Sequence, residues 1–237
     1  MSLIKLPLLL IGSLCVHRSV TPPNAAPPSG ELSKHKDLWP SSYFSWGPGV
    51  TKGLMWAVSL CEALAICASY SEHPNPIARL LFSYISKESI GSTAIRISPS
   101  FLVSITFLVI SAIIRTLCYR ALGRLFTFQI TIRPKHTLVT SGPYAWVRHP
   151  SYTGSILGFT GSVLCALSEG SWIRECGWLE TWRGKAFCLF YLMWNIHVTL
   201  VMLWRTSQED KMLKEKFGAE WVAWSRKVRY KLVPGIY

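Results

Sequence analysis

Four long apolar segments are the strongest constraint on the fold of this chain of 237 residues. They lie at residues 53–70, 101–119, 152–167 and 186–204. Each approaches the roughly 20 residues that cross a bilayer as a helix. Only 16% of the residues are charged, which is below the share of about 25% in soluble proteins. The pattern predicts an all-α integral membrane protein.

A fifth apolar segment, residues 3–16, is shorter and contains Lys5 near its start. Its length also suits the apolar part of a signal peptide, which runs for about 7–15 residues. The sequence that follows, HRSVTPPNAAPP, offers no convincing cleavage site. We therefore favour a retained first helix over a cleaved signal peptide, which gives about five transmembrane helices.

The basic residues are divided unequally between the two sides of such a bundle. The net charge is +13, and 17 Lys and Arg residues fall on one side against 7 on the other, with Arg115 inside the third segment. The positive-inside rule then places residues 120–151 and 205–237 in the cytosol. Because these residues are spread over several loops at a membrane face, we expect contact with anionic lipid and no nucleic acid.

The chain divides into two regions on this pattern. Residues 1–119 hold transmembrane helices 1–3 and a Pro-rich cytosolic linker, 19–51, while residues 120–237 hold helices 4 and 5 and a helical tail. We expect a short surface helix near residues 75–86, and an interfacial belt formed by Trp172, Trp178 and Trp182. The seven cysteines lack the spacing of a zinc site, and no metal is expected.

Three ionisable side chains inside the segments are costly in lipid, so each raises the question of function. Arg115 lies near the cytosolic end of its segment and is expected to extend to the interface. For Glu62, a hydrogen bond between helices and a functional role both remain open. His197, together with Asn195, is interpreted as a contact between helices or as part of a site.

Three polar motifs meet at the expected cytosolic edge: KHTLVTSGPYAW, VRHPSYTG at the start of the fourth helix, and RTSQED at the end of the fifth. Pro150 suits the first turn of a helix. Arg205 and Glu209 are four residues apart and therefore share one helix face. The sequence predicts a polar pocket at the membrane boundary, formed by the loop before helix 4 and the C-terminal helical tail.

These motifs resemble the protein-S-isoprenylcysteine O-methyltransferase family of membrane enzymes, over roughly residues 120–237. The tail YKLVPGIY is similar to fungal-type members, whereas Gln208, Glu209 and Asp210 stand where the family usually has adjacent glutamates. The resemblance implies transfer of a methyl group from S-adenosyl-L-methionine to the C-terminal carboxylate of a prenylated cysteine, in a protein or peptide. It also implies an endoplasmic reticulum membrane and an active site that faces the cytosol.

The resemblance further implies roles for individual residues. Arg205 and Glu209 would be catalytic, with Arg205 binding the acceptor carboxylate through its planar, two-pronged guanidinium. No general base is needed, because the acceptor carboxylate is already ionised. The residues implied to bind the cofactor are Gln129, His136, Thr137, Leu138, Val139, Tyr144, His149, Pro150, Ser151, Tyr152 and Glu209.

Other functions remain open on the sequence. A methyltransferase of the same scaffold could act on a phospholipid amine or on a small prenylated metabolite, although Arg205 favours a carboxylate acceptor over an amine. NADPH-dependent sterol reductases share a similar Arg-His-Pro turn and tail, but they lack HTLVTSGPY. A non-catalytic membrane scaffold is a further alternative, and cofactor binding would distinguish it from the enzymes.

Overall fold

A computed structural model describes residues 3–27, 42–70, 80, 83–84, 94–131 and 136–236. Four helical segments are long and apolar enough to cross a membrane: Tyr43–Tyr70, Pro99–Leu125, Pro150–Glu175 and Trp182–Phe217. The protein is an all-α integral membrane protein, as predicted. The helices used below are α1 (Lys5–Ser19), α2 (Tyr43–Tyr70), α3 (Pro99–Leu122), α4 (Pro150–Leu167), α5 (Trp172–Glu175), α6 (Trp182–Phe217) and α7 (Ala219–Lys227).

Helix α1 is shorter than the four candidate spans, yet it extends alongside α3 from one end of the bundle to the other. At its start, Lys5 Nζ donates hydrogen bonds to Arg96 O and Gly170 O, in the connections before α3 and after α4. At its end, Ser19 O accepts a hydrogen bond from Arg115, near the opposite end of α3. The two helices therefore run in the same direction, and retention of the first helix stays a prediction.

Close packing of α3 against α4 forms the centre of the bundle. Gly154, Gly158 and Gly161 face α3, and a Cβ atom at Gly158 would lie only 2.7 Å from Ser111 Oγ. A larger side chain at these positions would push the two helices apart. The glycines of α4 therefore permit a close approach between the two helices.

The start of α2 differs from the expected linker. The helix begins at Tyr43 and continues through Pro48, so that the last residues of the 19–51 linker are helical. Pro48 cannot donate a hydrogen bond to the preceding turn, but Tyr43 and Phe44 on that turn are buried in the core. Residues 28–41 of the linker, and most of the expected surface helix near 75–86, lie outside the described residues.

The long helix α6 ends at a glycine. It runs from Trp182 to Phe217 and stops at Gly218, whose φ of 51° ends the helix before α7. Glycine adopts this left-handed conformation at little cost.

The tryptophans of the expected belt have different surroundings. Trp182 is 76% exposed, as an interfacial residue would be, whereas Trp172 is only 2% exposed and packs in the core against Trp178. The belt prediction is therefore wrong for Trp172, because the turn of α5 folds back onto the bundle.

A buried ion pair closes the end of the bundle near α5. Lys5 Nζ lies 2.5 Å from Glu62 Oε1, and each side chain is 1% exposed. The ammonium also lies 4.5 Å from the centre of the Phe101 ring, in addition to its two carbonyl acceptors. Glu62 therefore makes a contact between helices α1 and α2, one of the two roles that the sequence left open.

Candidate functional site

A large cavity occupies the opposite end of the bundle, where α2, α3, α4 and α6 meet the loops around residues 126–131 and 136–139. It contains about 1310 Å³ of empty space, including its open mouth. One wall is polar and the other is apolar.

The polar wall is an ionic network between the start of α4 and the C-terminal part of α6. His149 Nε2 lies 3.0 Å from Asp210 Oδ1, and Arg148 Nη2 lies 3.5 Å from Asp210 Oδ2. Tyr152 Oη donates a 2.8 Å hydrogen bond to Glu209 Oε2. The two adjacent acids share His149, whose Nδ1 lies 3.7 Å from Glu209 Oε2. Asp210 also contacts Arg148, while Glu209 faces the cavity.

Backbone contacts with the C-terminal tail fix the start of α4. The amide of Arg148 donates to Tyr230 O at 3.0 Å, and the amide of His149 donates to Lys231 O at 2.8 Å. Thr153 Oγ1 donates to Leu232 O at 2.7 Å. Arg148 and His149 precede the first turn of α4, so their amides have no acceptor within the helix, and the tail supplies one for each.

Two further polar side chains complete this wall. Tyr144 is buried, and its burial raises the pKa of the phenol well above the usual value. Burial also lowers the pKa of His136, although the neighbouring Glu209 carboxylate opposes this effect. At neutral pH the site therefore presents an uncharged phenol and an uncharged imidazole beside the Glu209 carboxylate.

Arg115 contributes to the cavity and does not extend to the interface. It is 4% exposed, its Nε donates to Ser19 O at 2.8 Å, and its Nη1 donates to Ser151 Oγ at 2.7 Å. Its guanidinium lies 5.0 Å from the Tyr119 ring centre and 5.1 Å from that of Phe128. The expectation of snorkelling is wrong, because neutral oxygens and aromatic faces solvate the charge inside the bundle.

Arg205 lies at the border between the polar and apolar walls. It is only 2% exposed, and its guanidinium carbon is 3.9 Å from the centre of the Phe44 ring. Its buried Nε has no hydrogen-bond partner among the residues that the structure describes. A buried donor without an acceptor is costly, so the Nε of Arg205 is suited to binding an anion.

The apolar wall is formed by the first turns of α2 and the facing part of α6. Phe44, Gly47 and Pro48 line it from α2, and Val198 and Met202 line it from α6. His197 belongs to the same interface through its ring, which lies 5.6 Å from that of Tyr43. An amphipathic ligand whose anion met Arg205 would find this apolar surface beside it.

Comparison with known proteins connects this geometry to a family. Residues 103–169, which run from α3 to the residues just after α4, match the isoprenylcysteine carboxyl methyltransferase family. Protein-S-isoprenylcysteine O-methyltransferase B of Arabidopsis thaliana is 28% identical over 126 residues, which cover 52% of this chain and 54% of that protein. Over residues 103–169 the chain is therefore similar to the isoprenylcysteine carboxyl methyltransferase family.

Other relatives extend the comparison. A probable protein-S-isoprenylcysteine O-methyltransferase of Oryza sativa subsp. japonica is 29% identical over 128 residues, 53% of this chain and 57% of that protein. The 7-dehydrocholesterol reductase of Danio rerio is 26% identical over 103 residues, 44% of this chain and 18% of that protein. The chain thus spans about half the length of the methyltransferases that it matches.

The cavity brings together nearly all the residues that the resemblance implied. Pro150 alone of that set does not line it, since its place is the first turn of α4. The roles themselves stay predictions. The residues that line the cavity as implied are Gln129, His136, Thr137, Leu138, Val139, Tyr144, His149, Ser151, Tyr152, Arg205 and Glu209.

Several residues that contribute to this site were not predicted from the sequence. Asp210 and Arg148 were within the quoted motifs, so their charge was a usable signal. Tyr43 and Phe44 lie in a segment that was interpreted as linker, and no local pattern connected them with Arg205. In the described ranges no group of three or more His, Cys, Asp or Glu residues could hold a metal ion.

Proposed function

We propose that this protein transfers a methyl group from S-adenosyl-L-methionine to the C-terminal carboxylate of a prenylated cysteine, at the cytosolic face of the endoplasmic reticulum membrane. The observation that carries the proposal is Arg205, a buried cation with an unpartnered Nε at the border of a polar and an apolar wall. Its geometry suits an anion attached to an apolar tail. The similarity of residues 103–169 to the isoprenylcysteine carboxyl methyltransferase family supports the reaction class.

The polar wall fits the implied methyl donor. Glu209 is the acid of the network that faces the cavity, and it suits the ammonium group of the donor's methionine part. The buried, uncharged Tyr144 and His136 avoid placing further positive charge beside a sulfonium. S-adenosyl-L-methionine supplies an electrophilic methyl group on a positively charged sulfur.

The acceptor needs little chemical activation. Its carboxylate, with an ordinary pKa of about 3.3–3.7, is ionised at neutral pH. Its oxygen forms a bond to the methyl carbon while the carbon–sulfur bond breaks, and the electron pair remains on sulfur. The protein must therefore orient the two partners and exclude water. Arg205 can grip one or both carboxylate oxygens, and the apolar wall can hold the lipid.

The prenyl tail explains why such a site lies at a membrane. Transfer of each CH₂ group into hydrocarbon contributes about 0.8 kcal/mol. The carboxylate must stay near the polar boundary, at the depth of Arg205. An acceptor of this kind thus reaches the apolar wall from the bilayer side and the polar wall with its charged end.

The other candidate functions fit the site less well. An amine acceptor, as in phospholipid methylation, would meet the positive charge of Arg205 instead of an acid. A small prenylated metabolite with a carboxylate would fit the same contacts. The likeness to sterol reductases covers only 18% of the Danio rerio protein, and a nicotinamide cofactor would bring its own phosphates to a wall that contains Glu209 and Asp210.

The decisive experiment is methyl transfer from radiolabelled S-adenosyl-L-methionine by the purified full-length protein. The acceptors are S-farnesyl-cysteine, S-geranylgeranyl-cysteine and unprenylated cysteine, each carried on a short peptide and as the free N-acetylated amino acid. We expect base-labile label only on the prenylated acceptors. Transfer to phosphatidylethanolamine, or binding of NADPH without binding of S-adenosyl-L-methionine, would contradict the proposal.

The proposed orientation has a separate test. Ser141 is exposed in the loop before α4, and a Ser141→Cys variant should react with an impermeant maleimide from the cytosolic side of sealed microsomes. A cysteine-free background removes the contribution of the seven native thiols. Labelling only after the lumenal side is opened would reverse the assigned orientation.

A further inference from the structure

The first turn of α2 holds a second polar group beside Arg205. Tyr43 is 6% exposed, and its hydroxyl oxygen is buried without a hydrogen-bond partner among the described residues. Its side chain lines the same cavity as Arg205, and the Arg205 charge lies close enough to act on the hydroxyl. Phe44, the next residue, stacks on the guanidinium of that arginine.

The orientation of Tyr43 is fixed by its neighbours. The rings of Phe44, Trp46 and His197 meet its ring edge-on, with centre-to-centre distances of 5.1, 5.2 and 5.6 Å. Trp194 packs at 6.3 Å. Because aromatic packing holds the ring from several sides, the phenol cannot turn towards water without breaking these contacts.

An apolar contact alone does not explain this tyrosine. A phenylalanine would keep the same ring contacts and avoid burying an unpaired hydroxyl, which is unfavourable in a folded protein. Tyr191 offers the contrast, since its buried hydroxyl donates to Ser162 O at 3.2 Å. The Tyr43 hydroxyl and the Arg205 Nε are thus two unpartnered donors at one cavity.

We propose that Tyr43 is a second acceptor-binding residue, whose hydroxyl donates a hydrogen bond to the carboxylate that Arg205 holds. This inference rests on the proposed function, because it takes a carboxylate as the acceptor group. Tyr43 lies outside the region 103–169 that matches the family. The first turn of α2 therefore supplies part of the specificity for an anion.

A neutral donor has a particular advantage beside an arginine. Two cations on one carboxylate would stabilise the anion strongly and lower its reactivity as a nucleophile. A phenol adds direction to the contact with less charge stabilisation. Together, the planar guanidinium and the fixed hydroxyl would hold one oxygen each and set the orientation of the carboxylate plane.

The test compares Tyr43→Phe with wild type, and uses Tyr191→Phe as a matched control for the loss of a buried hydroxyl. We expect Tyr43→Phe to raise the KM for S-farnesyl-cysteine on the order of tenfold, with unchanged affinity for S-adenosyl-L-methionine. Tyr191→Phe should alter thermal stability and leave the acceptor KM unchanged. An unchanged acceptor KM in Tyr43→Phe would overturn the inference.

A second measurement does not depend on turnover. Binding of N-acetyl-S-farnesyl-cysteine and of its methyl ester is compared by scintillation proximity, in the presence of S-adenosylhomocysteine. Wild type should prefer the acid, and Tyr43→Phe should lose part of that preference while binding the ester as before. Equal preference in the two proteins would refute the role of Tyr43. Acid preference without methyl transfer in wild type would refute the proposed reaction and leave the anion site standing.

Discussion

The buried positive charges at the two ends of the bundle differ in the contacts that they make. At one end Lys5 meets the Glu62 carboxylate, two backbone carbonyls and the face of Phe101. At the other end Arg205 has the Phe44 ring, and no described residue accepts a hydrogen bond from its Nε. A buried charge with its partners present holds helices together, whereas one without them is suited to a ligand.

This contrast separates two roles that burial alone would confuse. Both side chains are almost completely buried, and both charges would be costly if isolated. Arg115 is an intermediate case, because neutral oxygens accept its hydrogen bonds. The distinction therefore lies in the donors left over after the protein's own contacts are made.

The largest expected effect is a loss of stability at the end of the bundle that holds the Lys5–Glu62 pair. Lys5→Met leaves the Glu62 carboxylate buried without its cation, which should lower the free energy of unfolding by about 3–5 kcal/mol. Thermal unfolding in detergent would measure the loss. The double variant Lys5→Met/Glu62→Met should regain most of the stability, and Lys185→Met, at an exposed lysine, is the control. Equal stability of Lys5→Met and wild type would contradict the structural role of the pair.

The next largest effect is a loss of acceptor binding at the end of the bundle that holds Arg205. Arg205→Ala should remove about 2–5 kcal/mol of acceptor binding and orientation, enough to abolish detectable methyl transfer, while S-adenosyl-L-methionine still binds. Arg205→Lys should restore little, because an ammonium cannot reproduce the planar fork. Initial rates and cofactor binding are measured beside the exposed-residue control Arg229→Ala. If Arg205→Ala lost cofactor binding and kept acceptor affinity, the assignment of this arginine would be wrong.

A smaller effect concerns the acid one turn further along α6. Glu209→Ala should weaken binding of S-adenosyl-L-methionine by about 1–3 kcal/mol, the usual cost of losing a partner to a charged group. Isothermal titration of the folded variant provides the measurement, with Glu220→Ala as the control on α7. Unchanged affinity would remove Glu209 from the cofactor site.

The smallest effect concerns Phe44, whose ring packs against the Arg205 guanidinium. Phe44→Leu removes the aromatic face and should reduce kcat/KM by the equivalent of about 0.5–2 kcal/mol, whereas Phe44→Trp should retain most of the activity. Steady-state kinetics with the prenylated acceptor would show the difference. Equal losses in both variants would indicate that Phe44 acts through packing volume and not through the charge of Arg205.

Local sequence signals were sufficient for much of this architecture. Pro150 at a helix start acts within one turn, and α4 begins at this residue as predicted. The pairing of Arg205 and Glu209 on one face follows from helical spacing alone. These features need no knowledge of distant residues, and for that reason the polar wall could be foreseen.

Contacts between distant residues could not be foreseen in the same way. Lys5 and Glu62 meet only because α1 and α2 pack side by side, and each residue alone looked like an isolated charge. Tyr43 and Phe44 lie in a Pro- and Gly-containing stretch that is typical of a linker, yet aromatic packing makes it helical. The partners of Arg205 therefore became visible only in three dimensions.

Helix α6 sets the distance between the proposed binding sites for the acceptor and the methyl donor. Arg205 and Glu209 are separated by about 6 Å along its axis, since each residue advances a helix by 1.5 Å. A deletion of one residue between them would turn Glu209 by about 100° away from the cavity. The loops can change in length without altering the distance between the proposed methyl-donor and acceptor sites. The turn of α6 between Arg205 and Glu209 cannot change in length without altering it.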